Sequence, residues 1–178
     1  MKAKSFNTLF LDRDGVINER NFDGYITEIS EFTFLPNVLM GLQKLAKRFD
    51  RIIIVTNQQC VGRKIISASN LFDIHNYMID VLKKNQIHIT DIFVAENIKG
   101  SKNDRRKPLT KMGFEAKDKY PLIDFNHSIM VGDTDTDIEF GRNLGMKTVL
   151  VQSKEKTKSC PDFIVQDLND LYTQLFES

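Results

Sequence analysis

The chain has 178 residues, 41% of them hydrophobic, with 25 Lys and Arg against 24 Asp and Glu. That length suits one domain, spanning 1–178, with a core of its own, and the apolar content excludes a disordered chain. A net charge of +1 supplies no broad field for nucleic acid or an acidic membrane, so any bound anion must be gripped by local residues.

Short apolar runs alternate with stretches of helical period. Phe6 to Leu11 reads as a buried strand, and Pro36 to Phe49 as a helix with Val38, Leu39, Leu42, Leu45, Ala46 and Phe49 on one face. Arg51 to Val55 is the clearest strand, because its β-branched residues run without interruption. Ser67 is a suitable N-cap for a helix reaching about Asn85, with Leu71, Ile74, Met78, Val81 and Leu82 facing the core. Ile89 to Ala95 reads as a strand, Leu109 to Lys119 as a helix, and Ser128 to Val131 as a strand. A helix over Asp135 to Leu144 is closed by Gly145. Strands over Met146 to Val151 and Phe163 to Val165, then a helix over Asp167 to Leu175, complete the chain. Repeated strand–helix alternation predicts an α/β fold: a doubly wound, Rossmann-like, mainly parallel sheet with ligands at the carboxyl ends of its strands.

Cys60 and Cys160 form neither a CxxC pair nor a Cys/His cluster, which points away from disulfides and toward a reducing, cytoplasmic setting. No apolar run reaches the ~20 residues of a membrane helix. The basic start, Met1 to Ser5, meets Asp12, Arg13 and Asp14 before a signal-like core develops. His75, His88 and His127 lack spaced partners and read as structural; Cys60 reads as a bystander.

Polar residues gather where the predicted strands end. Asp12 and Asp14 follow the first, Thr56, Asn57 and Gln58 the second, Arg106 and Lys107 the third, and Asp133, Asp135 and Asp137 the fourth. In a parallel sheet these groups share one edge. Several carboxylates at one point need a cation, and an oxygen-only donor set favours Mg²⁺. The basic residues make the substrate anionic as well, and phosphate fits. A carboxylate about 4 Å from a phosphate dianion is opposed by roughly 8 kcal/mol at an effective dielectric of ~20, so attack by an aspartate requires both the metal and a lysine. Asp135 reads as a cap for the helix that follows.

These segments resemble the four motifs of the haloacid dehalogenase-like (HAD) phosphohydrolases. Phe10-Leu11-Asp12-Arg13-Asp14-Gly15-Val16 is similar to the first, Val55-Thr56-Asn57-Gln58 to the second, Arg106-Lys107-Pro108 to the third, and Gly132-Asp133-Thr134-Asp135-Thr136-Asp137 to the fourth. The order and spacing match over about residues 6 to 151. More narrowly, they resemble the branch of histidinol-phosphatases and D-glycero-D-manno-heptose 1,7-bisphosphate phosphatases.

The resemblance implies that Asp12 is the nucleophile, and that Asp14 protonates the leaving alcohol and then activates water. It implies Mg²⁺ held by the Asp12 carboxylate, the Asp14 backbone carbonyl and Asp133. Thr56 and Lys107 would bind the transferring phosphoryl group, Asn57 and Arg106 would contact phosphate or sugar, and Asp137 would support Lys107 or metal-bound water. The expected activity is a Mg²⁺-dependent phosphomonoesterase acting on a small phosphorylated metabolite, a sugar phosphate first and histidinol phosphate as the alternative. Relatives in this branch commonly carry a zinc loop before the third motif. Here Glu96 to Asp104 has neither Cys nor His, so no structural zinc is expected. The segments between Asp14 and Thr56 and between Ala95 and Arg106 are too short for a lid domain, so a capless enzyme is expected, with no membrane or nucleic-acid partner, as a monomer or weak homo-oligomer. A receiver-type signalling domain would place its acceptor after the third strand, where Glu96 and Asn97 stand. An idle scaffold would show a broken catalytic set. A nucleic-acid 3′-phosphatase would need a broad basic face.

Overall fold

Six strands form one sheet in the computed structural model, which describes residues 6–177. The basic start, Met1 to Ser5, lies outside the described residues. The strands are β1 (Thr8–Leu11), β2 (Arg51–Asn57), β3 (Asp91–Ala95), β4 (Ser128–Gly132), β5 (Lys147–Val151) and β6 (Phe163–Val165), in spatial order β3-β2-β1-β4-β5-β6. Every neighbouring pair is parallel. The helices are α1 (Val38–Leu45), α2 (Gln59–Gly62), α3 (Ala68–Lys84), α4 (Lys111–Lys119), α5 (Asp135–Asn143) and α6 (Leu168–Phe176).

The strand period of two divides the core. Leu9, Leu11, Ile52, Ile54, Ile129 and Val131 face α1, α3 and α6 through Leu42, Leu45, Ile74, Met78, Leu82 and Leu171. Phe10, Ile53, Val55 and Met130 face the opposite way, onto Met112, Ala116 and Phe140 of α4 and α5. Burial on both faces explains why β2 is a continuous apolar run. Ser67 caps α3 as expected, its hydroxyl accepting from the Asn70 amide at 3.0 Å.

The helix expected over Pro36 to Phe49 is confined to Val38–Leu45. Asn37 enters it in the left-handed conformation, at φ 60°. Past Leu45 the backbone tightens into turns, with Arg48 N donating to Leu45 O, before Asp50 N and Arg51 N both donate to Asn7 O and lead into β2. Three short turns carried no sequence signal strong enough to expect them: α2 and the 3₁₀ turns Ile29–Glu31 and Phe125–His127.

Strand order reverses at β1, since β1 leads outward to β2 while β4 returns to its other side and leads on to β5. The crevice of such a sheet opens between the carboxyl ends of those two strands. Residues 12–37 cover it as a flap anchored by buried Val16, Ile17, Ile26 and Phe32. The polar loop between β3 and α4 is ordered by its own Asp104, whose carboxylate accepts from the amides of Gly100 at 2.8 Å and Arg106 at 3.0 Å. An ion pair between Arg105 and Glu115 ties that loop to α4.

Candidate active site

The last residues of β1, β2 and β4, together with the loop after β3, meet at the mouth of the crevice. Asp12 leaves β1 with its amide donating to Val131 O at 2.9 Å, which holds it beside β4. Asp133 follows β4, and Asp137 lies one turn into α5. Asp12, Asp133 and Asp137 each present a carboxylate oxygen within 4.8 Å of the others. Two glycines permit this approach. A Cβ on Gly15, whose φ is +88°, would fall 2.2 Å from Asp133 Oδ2, and one on Gly132 would fall 2.0 Å from Asp137 Cβ.

Lys107 stands between two of these carboxylates. Its ammonium is 2.8 Å from Asp12 Oδ1 and 2.6 Å from Asp137 Oδ1, and donates to Val55 O at 2.7 Å. Desolvation opposes its charge, but Asp12 and Asp137 outweigh burial and raise its pKa. Asn57 fixes the lysine from below: its Oδ1 accepts from Lys107 N at 2.9 Å and its Nδ2 donates to Lys107 O at 3.1 Å. Both polar ends of Asn57 are therefore engaged by the backbone of Lys107. The other end of the cluster is met by the flap, where Arg20 Nη1 lies 3.2 Å from Asp133 Oδ2.

The charges do not balance. Three carboxylates face two cations, Lys107 and Arg20. Burial first, then Asp137, Asp133 and Asp14, raises Asp12 to about 7 despite Lys107. Burial and Asp137 raise Asp133 to about 6 against Arg20. Asp133 Oδ1 is buried without a hydrogen-bond partner. An orphaned buried carboxylate oxygen in an all-oxygen cluster is what a hard divalent cation would satisfy, so the residues present fit Mg²⁺.

Asp14 is held differently. Its carboxylate turns toward the protein and accepts from Arg13 Nη2 at 2.8 and 3.0 Å, Asn18 Nδ2 at 2.9 Å and Gln58 Nε2 at 2.8 Å. Desolvation raises its pKa, yet the Arg13 charge and these hydrogen bonds prevail and lower it. Its side chain is not part of the three-carboxylate cluster. Gln58 also donates to Thr56 Oγ1 at 2.9 Å, joining the first two motifs. Thr56 is buried, and a hydroxyl that accepts from Gln58 keeps its own proton free to donate.

A cavity of about 680 Å³ opens in front of Asp12, walled by the flap residues Arg20 to Ile26, by Gln59 and Arg63 and by Arg106 and Lys107. Arg106 Nη1 is buried without a partner, and burial lowers the Arg106 pKa although Asp104 and Tyr25 oppose it.

Asp135 differs from its expected role. The cap of α5 is a box in which Thr134 N and Oγ1 donate to Asp137 Oδ2 at 3.1 and 2.6 Å. Asp135 instead accepts from the amides of Lys158 and Ser159 and sits apart from the carboxylate cluster. His75 is likewise placed differently from a plain core histidine: Arg13 Nη1 donates to its Nε2 at 3.0 Å. Neither that contact nor Arg20 is visible in the motifs, since the partners are 62 and 113 residues apart. His88 and His127 lie outside the site, and Cys60 is a buried thiol whose pKa burial raises.

Among the described residues no helix is long and apolar enough to cross a membrane. The HAD-hydrolase-like family model matches residues 104–171. The D-glycero-alpha-D-manno-heptose-1,7-bisphosphate 7-phosphatase of Campylobacter jejuni subsp. jejuni serotype O:2 is 32% identical over 169 residues, covering 95% of this chain and 92% of that protein. The histidine biosynthesis bifunctional protein HisB of the same organism is 32% identical over 140 residues, 78% of this chain but 40% of that longer protein. A crystal structure of D,D-heptose 1,7-bisphosphate phosphatase from B. bronchiseptica, complexed with magnesium and phosphate, superposes with a TM-score of 0.86 at 24% identity, covering 96% of this chain and 98% of that one.

Proposed function

The chain belongs to the HAD-like phosphatases, in the branch that holds the heptose bisphosphate and histidinol phosphatases, and from that premise we propose a Mg²⁺-dependent phosphomonoesterase working through an aspartyl-phosphate. The substrate proposed is D-glycero-D-manno-heptose 1,7-bisphosphate. The observation that carries the reading is the buried lysine shared by Asp12 and Asp137 beside the unpartnered oxygen of Asp133.

Asp12 attacks phosphorus, the bond to the leaving oxygen breaks, and Asp14, which takes up a proton with the bound substrate against the Arg13 charge that holds its pKa down, supplies that oxygen with it. Asp14, now ionised, takes a proton from the water that attacks the phosphoryl group, which restores Asp12 and recharges Asp14 for the next turnover. Thr56 donates its hydroxyl proton, and Lys107 its ammonium, to the oxygens of the moving group. Asn57 positions Lys107 rather than touching substrate. Arg106 takes a further anionic or hydroxyl group of the substrate. Asp12 and Asp133 through their carboxylates, and Asp14 through its backbone carbonyl, would hold the cation. When bound, it supplies the charge that lets a carboxylate approach a phosphate dianion.

The test is phosphate release from heptose 1,7-bisphosphate, histidinol phosphate and a 3′-phosphorylated oligonucleotide, compared as kcat/KM with Mg²⁺ present. The heptose substrate is expected to lead by at least about tenfold, a difference of ~1.4 kcal/mol in transition-state binding. A lead for histidinol phosphate transfers the assignment to the second reading, which the HisB relatives favour. No release from any of the three contradicts it.

Metal binding is expected to show in stability. Asp12 and Asp133 have folded-state pKa values above their unfolded ones, so their contribution is present below about pH 4 and is lost as pH rises through 6 to 7. The metal-free protein is therefore expected to melt lower near pH 8 than near pH 5. Mg²⁺ at about a hundred times its Kd adds ~2.7 kcal/mol, or about 5–10 °C in Tm, and more at pH 8 than at pH 5, where protons compete for the same oxygens. Thermal melts with and without Mg²⁺ across that range check both signs.

A further inference from the structure

Arg13 stands between two site aspartates. It is fully buried, and its Nε has no hydrogen-bond partner. Two anchors hold its guanidinium: the Asp14 carboxylate on Nη2 and the His75 ring on Nη1. One face of the group lies 6.0 Å from the centre of the Phe32 ring. His75 comes from the middle of α3, on the flank of the sheet, and is 8% exposed.

We propose that His75 is a positioning residue for the reaction: as a neutral acceptor it fixes the plane of Arg13, and Arg13 in turn fixes where the Asp14 carboxylate points. The proposal rests on the reading of Asp14 as proton carrier. An arginine held at both ends of its fork cannot turn about its Cδ–Nε bond without breaking a buried hydrogen bond. Held only by Asp14, it can pivot, and the carboxylate it grips pivots with it. The histidine suits this task because it accepts without competing for charge. Burial, then the neighbouring guanidinium, lowers its pKa to about 3, so the ring stays neutral with its proton on Nδ1 and its Nε2 lone pair toward Arg13. The residue facing Arg13 is thus an acceptor that adds no second negative charge beside Asp14. Asn18 and Gln58 also grip Asp14, so loss of His75 misplaces the carboxylate rather than freeing it. Misplacement on that scale costs about 10- to 100-fold where the proton matters.

The test uses the Mg²⁺-loaded enzyme with 4-nitrophenyl, phenyl and benzyl phosphate, a series of increasingly poor leaving groups. Because kcat/KM reports the first step, the His75→Ala variant is expected to stay within about threefold of wild type on 4-nitrophenyl phosphate and to lose about 10- to 100-fold on benzyl phosphate. Its slowed second step should appear as a nitrophenol burst equivalent to the enzyme present. His75→Gln, which restores a neutral acceptor, is expected to recover most of the benzyl phosphate rate. His75→Leu, which keeps volume without an acceptor, replaces the Ala variant should that one fail to fold. Equal fractional losses on all three esters, or a Gln variant no better than Ala, overturn the positioning role. An Asp14→Asn control that hydrolyses benzyl phosphate at the wild-type rate overturns the reading of Asp14 and the inference with it; an impaired control beside a uniform His75 effect sinks the inference alone.

Discussion

The Asp12→Asn variant is expected to lose on the order of 10⁴- to 10⁶-fold in kcat while melting no lower than the wild type in the absence of metal at pH 8. The two effects have one origin. Asp12 is buried among Asp137, Asp133 and Asp14, and its pKa is raised to about 7 even with Lys107 beside it. Above that pH Asp12 is ionised and its buried charge costs the folded protein stability relative to the unfolded chain, and an amide of the same shape removes that charge. The same amide cannot attack phosphorus, because it carries no anionic oxygen. Steady-state phosphate release and metal-free melts of the two proteins check the pair of signs together. A variant that lost activity and stability in parallel would mean that Asp12 serves the fold more than the chemistry.

Lys107→Met is expected to lose a comparable share of activity with the opposite effect on stability. Methionine fills much of the volume of the lysine stem but leaves Asp12 and Asp137 facing each other without the ammonium 2.8 and 2.6 Å away. Removing one partner of a buried ion pair costs about 3–5 kcal/mol, which for a chain of this size is about 6–20 °C in Tm. The loss should shrink as pH falls through 7 to 5, because Asp12 and Asp133 are then protonated and the repulsion fades. In activity, losing a preorganised cation over the phosphoryl oxygens accounts for about 10²- to 10³-fold, and misplacement of Asp12 adds to it. Melting curves across that pH range, beside kcat on the preferred substrate, distinguish this pattern from that of Asp12→Asn. A Lys107→Met protein as stable as wild type at pH 8 would show that water, and not the ammonium, balances those carboxylates.

The sheet was legible because its physics is local to each segment. An uninterrupted β-branched run such as Arg51 to Val55 has one stable solution, a strand covered on both faces, and Ser67 before an amphipathic stretch marks where α3 begins. The residues at the strand ends were legible for the same reason: parallel strands put their carboxyl ends together whatever fills the space between. What could not be read were contacts across the crevice. Arg20 reaches Asp133 only because the flap folds back over β4, and no periodicity records that return. His75 sits next to Ile74 and near Met78 on the buried side of α3, so its spacing looked like core; only the position of Arg13 shows what it accepts from. The cap of α5 was a partial miss with a usable signal. Thr134 and Asp137 stand three apart, as a capping box requires, and that spacing makes Thr134 the cap with Asp137 closing the box and leaves Asp135 for Lys158 and Ser159.

Asn57 and Asp14 show how a motif locates a residue without stating what its atoms do. Both lie beside the cavity, yet Asn57 spends its side chain on the backbone of Lys107, and Asp14 turns its carboxylate onto Arg13, Asn18 and Gln58. The local hydrogen-bond supply decided both outcomes. A buried lysine that must point at two carboxylates needs its main chain fixed, and a lone carboxylate beside a buried guanidinium pairs with it.

In the proposed reaction phosphorus becomes bonded to Asp12. The most direct measurement of that bond is acid quenching of the Mg²⁺-loaded enzyme during turnover, reduction of any acyl phosphate with borohydride, and peptide mass spectrometry of the product. Conversion of Asp12 to homoserine in the turning-over enzyme, and its absence without substrate, is the result predicted. Reduction at Asp14 or Asp133 instead, or an unmodified Asp12 in an enzyme caught in rapid turnover, would contradict the account.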